Sequence, residues 1–134
     1  MKFSQTVLLL NAVMFLLVGF AYLAFPVFFS ELLMGVRPPT TTALIEMRAT
    51  YGGLSLGVGL VLGGMARRTE TVRAGLAASL VVLGSVLLGR VVGIMADGSP
   101  NWQTVFILLT ESGYFGVIVV ALVVWRGKEA HSEA

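Results

Sequence analysis

Apolar positions in this chain gather into four long blocks separated by short clusters of proline, glycine and charge. Crossing about 30 Å of hydrocarbon takes about 20 residues at about 1.5 Å per residue. Blocks at roughly 5–25, 43–66, 72–95 and 102–125 meet that length. The pattern predicts an all-α, integral membrane, up-down-up-down four-helix bundle. Residues 1–134 form one four-span domain in this reading, with a cytoplasmic tail at 126–134.

The breaks have recognisable turn chemistry. Pro26 ends the first span, and Phe28, Phe29, Leu32, Leu33 and Met34 make a short apolar stretch that reads as an interfacial helix or re-entrant segment. It stops at Gly35, and Pro38, Pro39 and the threonines 40–42 supply a turn and a cap for the second span. Arg67, Arg68, Thr69 and Glu70 form a connection short enough to make spans two and three antiparallel neighbours. The segment Asp97, Gly98, Ser99, Pro100, Asn101 reads as a turn, with Asn101 placed to cap the fourth span.

Composition agrees with a bilayer setting. Apolar residues make up 57% before the 16 glycines are counted, and charged residues 12%, about half the usual soluble share. The length allows one domain, which leaves no room for a large soluble catalytic or nucleotide-binding unit. The chain has no cysteine, which excludes disulfides, thiolate metal sites and cysteine nucleophiles. A net charge of +2 gives no footprint for nucleic acid.

Orientation follows from the basic residues beside each span. Lys2, Arg67, Arg68, Arg73, Arg126 and Lys128 fall on one side, and Arg37, Arg48 and Arg90 on the other. Six against three predicts a multi-pass membrane protein with both termini in the cytoplasm. A rival reading takes the first span as a cleaved signal peptide ending near Gly19, Phe20 and Ala21, but the apolar run continues past that point.

Two ridges of small residues, Ala49–Gly53–Gly57 and Ser85–Gly89–Gly93, recur at spacing four. Such ridges let helices approach closely in lipid. Here they are expected to pack spans two and three on each other, in preference to a homodimer seam. Trp102 and Trp125 bracket span four as interface anchors, and Asn11 is expected to bond across helices. His131 lies among charges in the tail and reads as solvated, so no metal site is expected.

The intramembrane charges are the candidate chemistry. Arg48, Arg90 and Glu111 come from three spans and share a depth of about 9–14 Å below one surface. Each would cost about 2.5–3.5 kcal/mol facing lipid, so they are expected to point inward and pair, Glu111 with Arg90 or Arg48. Arg48, Tyr51, Gly52, Ser55 and Gly59 fall on one helical stripe, and Glu111 and Tyr114 share a face. Tyr22 lies near enough in sequence depth to join them, while Glu46 and Asp97 read as surface groups. The three central charges leave one positive excess, which suits a planar oxygen pair.

At Glu46, Met47, Arg48, Ala49, Thr50, Tyr51, Gly52 and Gly53, then Gly89 and Arg90, Asp97 and Gly98, and Glu111, the chain resembles the bacterial domain-of-unknown-function family 4345. The resemblance covers nearly the whole chain and implies a short four-span membrane protein of undescribed activity. A looser likeness, of architecture alone, is to DoxX-like four-helix membrane proteins with quinone-linked or redox accessory roles.

Two functions stay open at this point. One is binding of a lipid, quinone or other amphipathic anion in an outward-facing polar pocket. Arg48 and Arg90 would hold its oxygens, Glu111 would balance charge or accept a proton, and Tyr51 and Tyr114 would orient it. The other is a structural or accessory subunit of a membrane complex, or a homo-oligomer, whose ion pairs are satisfied internally. Nothing activates a nucleophile, so no catalytic residue is assigned and an enzyme is the weaker option. No pattern names a cofactor.

Overall fold

The computed structural model describes residues 3–132, with side chains through residue 125. Lys2 and the side chains of Arg126, Lys128 and His131, used above for orientation and the tail, lie outside the described residues. Five helices account for most of the chain: α1 (Phe3–Ala24), α2 (Pro26–Met34), α3 (Thr41–Ala66), α4 (Thr69–Asp97) and α5 (Trp102–Ser132). No strand occurs among the described residues. By length and composition, α1, α3, α4 and the Trp102–Trp125 part of α5 are each able to cross a membrane. The helix of α5 continues through Ser132, where a tail was expected.

The helix ends follow the turn chemistry. Pro26 opens α2, and Gly35 closes it at φ 70°, with its N–H donating to Glu31 O at 3.1 Å. That left-handed conformation favours glycine. Thr40 Oγ1 accepts from Ala43 N at 3.1 Å and caps α3. Asn101 Oδ1 accepts from Thr104 N at 2.9 Å and caps α5. The amide of the same Asn101 donates to Met34 O at 2.7 Å, tying the end of α2 to the start of α5.

The glycines that bring helices together are not the expected ones. α3 packs chiefly on α1 and only lightly on α4. A methyl group placed on Gly52 would lie 2.8 Å from Leu23 Cδ2, and one on Gly59 2.9 Å from Leu16 N. On the facing helix, a methyl on Gly19 would lie 2.6 Å from Leu56 N. By contrast, Gly57 and Gly89 have nothing within 4 Å of that position, and Gly53 and Gly93 meet only atoms of their own helices. The two predicted ridges therefore face outward. The reason is angular: Gly53 is one residue from Gly52, and one residue turns the face by about 100°.

The buried core sits in one half of the bundle. Leu8, Ala12, Leu62, Val72, Leu76, Leu83, Ile118 and Ala121 pack together there, toward the α3–α4 turn. Trp125 belongs to this core at 8% exposure, whereas Trp102 is exposed. Asn11 is also fully buried, but neither side-chain atom has a hydrogen-bond partner, against the expected interhelical bond. The other half, toward the α1–α2 corner, is thinner in buried apolar groups and holds the polar residues.

Candidate functional site

The middle of α3 departs from α-helical geometry. Residues Arg48–Leu54 form a π-helical segment, with regular αR backbone at Met47 and Ser55 on either side. Such wide turns are rare and often lie at functional sites. This one contains Arg48 and Tyr51 of the predicted stripe, and it changes where they point. Gly52 and Gly59 are buried against α1, while Arg48 and Tyr51 are exposed beside that seam.

Arg48 does not pair with an acid. Its Nη1 donates to the carbonyl of Leu23, in the last turn of α1. The last carbonyls of a helix lack intrahelical donors, and a cation there also meets the negative end of the helix dipole. Among the described residues no carboxylate lies within ion-pair distance of Arg48. Beside it opens a groove of about 390 Å³, walled by Phe25, Pro26, Val27, Phe28 and Leu44. Glu31 lines the same groove, and its Oε1 lies 3.4 Å from Arg37 Nη1 in an exposed pair.

Arg90 and Glu111 do meet. The guanidinium donates from Nε to Oε2 at 2.7 Å and from Nη2 to Oε1 at 2.9 Å, a fork-on-fork contact joining α4 to α5. Their side chains are 28% and 24% exposed. Both carboxylate oxygens are engaged, so the pair neutralises itself.

Tyr22 and Tyr51 stand close to this pair. Their rings are 5.2 Å apart and tilted by 33°, joining α1 to the π segment of α3. Tyr22 is buried at 2% exposure and also meets Phe29 of α2, with ring centroids 6.3 Å apart. Both tyrosines lie within electrostatic range of the Arg90 guanidinium. All five helices thus contribute to one polar and aromatic layer.

The predicted set divides accordingly. Arg90, Glu111 and Tyr51 come together, with Tyr22 beside them. Arg48 turns to the α1–α2 corner. Tyr114 leaves the layer altogether: its hydroxyl donates to Val7 O at 3.3 Å and its ring packs on the apolar core. The expectation that one site gathers Arg48 and Tyr114 with the others is not what the side chains do. Phe25, Phe28 and Glu31 were missed as groove residues, since the sequence marks them only as part of an apolar segment.

A family model described as a domain of unknown function, DUF4345, matches residues 3–122. The chain belongs to that family. No curated protein and no solved structure matches it. The DUF4345 segment includes the π turn, the Arg90–Glu111 pair and every residue lining the groove beside Arg48. Among the described residues of this DUF4345 chain, no group of three His, Cys, Asp or Glu side chains is placed to hold a metal ion.

Proposed function

We propose that this DUF4345 protein is a multi-pass inner-membrane protein that receives an amphipathic anion, such as a lipid or quinone headgroup, in the groove beside Arg48. One observation carries the reading: the positive excess among Arg48, Arg90 and Glu111 falls on Arg48, and Arg48 borders a groove with aromatic and aliphatic walls. Arg48 uses one nitrogen on Leu23 and keeps further N–H donors for a planar pair of ligand oxygens. Phe25, Phe28 and Leu44 offer apolar cover to the rest of the molecule.

In this reading Arg90 and Glu111 hold α4 to α5 and do not touch the ligand, and the Tyr22–Tyr51 contact braces the π turn that presents Arg48. The bias of basic residues supports cytoplasmic termini, and the seam contacts of Leu23 with Gly52 and Leu16 with Gly59 support the up-down course. The test is mass spectrometry of small molecules retained after gentle purification. Arg48→Gln is expected to lose a species that wild type and Tyr114→Phe both keep. Equal retention by a folded Arg48→Gln protein would overturn the assignment.

A second reading, an accessory subunit or homo-oligomer, is favoured by the outward glycines. Gly89, Gly113 and Gly116 have nothing within 4 Å of a Cβ position, leaving these positions of α4 and α5 open to a close helix. Crosslinking in native membranes through Gly89→Cys distinguishes it, because this reading requires a crosslinked band.

A further inference from the structure

At the other end of the bundle, a cleft of about 450 Å³ lies where α3 gives way to α4. Its upper rim is Arg67 and Arg68, and its wall is Leu60, Val61 and Gly64. Both arginines are exposed, and no carboxylate lies within ion-pair distance of either among the described residues. Glu70 is the one acid in residues 67–70, against Arg67 and Arg68, so the turn keeps a positive excess.

The turn is built, not loose. Arg67 N donates to Gly64 O at 3.3 Å, and Thr71 Oγ1 donates to Met65 O at 2.7 Å. Arg68 is the N-cap of α4 in extended backbone, and its side chain makes no capping bond.

Below the rim, the wall suits a hydrocarbon chain. Gly57 and Gly64 are two turns apart on one face of α3, and neither has an atom within 4 Å of a Cβ position. Leu60 and Val61 stand exposed between them. Arg67 sits about 10 Å from Leu60 along the helix, the offset between a phosphate and the upper part of an acyl chain.

We infer that this cleft holds an anionic phospholipid, its phosphate on Arg67 and Arg68 and one acyl chain along Leu60, Val61 and Gly64. Charge complementarity selects the headgroup, and the open slot selects a lipid over a soluble anion. The inference uses no residue of the Arg48 groove and stands apart from that reading.

The test titrates delipidated full-length protein in detergent with dioleoyl phosphatidylglycerol and dioleoyl phosphatidylcholine, followed by native mass spectrometry. Wild type is expected to retain the anionic lipid on the order of tenfold better. The preference should fall in Arg67→Gln/Arg68→Gln and persist in Arg37→Gln, which removes an exposed charge at the opposite end of the bundle. Gly64→Leu, which fills the slot and leaves the charges, is expected to weaken retention of both lipids. Three results would overturn the inference: no preference in wild type, an undiminished preference in the double variant, or unchanged retention by Gly64→Leu. Displacement of the lipid by millimolar inorganic phosphate would likewise overturn it, making the cleft a site for a free anion.

Discussion

The carbonyl of Leu23 and the guanidinium of Arg48 close the last turn of α1 with a side chain from the π segment of α3. Directly beside this bond, Gly52 lies under Leu23 with no room for a methyl group. A close backbone approach and a polar clasp thus occupy one corner.

Gly59→Ala should destabilise the protein by about 1–3 kcal/mol, because the new methyl would press on the backbone at Leu16 as well as on its side chain. Gly57→Ala should change stability by about 0.5 kcal/mol or less, since that position is open. Thermal unfolding in one detergent compares the two. Equal losses would mean that α1 and α3 do not meet along this seam.

Breaking the Arg90–Glu111 pair from one side should cost about 2 kcal/mol, above a typical interhelical bond in a membrane bundle and below a fully buried ion pair. Arg90→Leu and Glu111→Leu each strand a charge. The double substitution should recover most of the loss, and a double-mutant cycle measures the coupling. Additive losses would show that the two groups act independently.

Asn11→Leu should raise stability by about 1–3 kcal/mol, because an amide without partners is exchanged for an apolar group of similar shape. A lowered unfolding midpoint would indicate that the amide is hydrogen-bonded in the bilayer.

Asn101→Ala removes the cap of α5 and the tie to Met34 together. The cap alone is worth about 1 kcal/mol. Amide exchange should quicken in α2 as well as in the first turn of α5. Faster exchange confined to α5 would mean that the tie to α2 carries no load.

Much of the fold was legible because lipid demands long apolar runs and because caps have a narrow chemistry. Thr40 and Asn101 cap the helices they were expected to cap, and Gly35 ends α2 as expected. The Arg90–Glu111 pair was legible as well, since two opposite charges at one depth have few other partners. Arg48 was not, because its partner is a main-chain carbonyl, and every residue carries one. The glycine ridges misled for a related reason: small residues announce that close approach is allowed, but two adjacent glycines leave open which face is used. The π segment hid the site further, since a stripe drawn at regular helical spacing assumes that no turn is widened.

That widened turn sets the rotational phase between the two halves of α3. It is equivalent to one residue accommodated without breaking the rod, so removing Thr50 and letting the helix rewind would twist the Arg48 half by about 100° against the Gly59 half. Arg48 would swing away from Leu23 while Gly59 stayed seated on Leu16. In this protein an insertion the length of a single amino acid aims a charge.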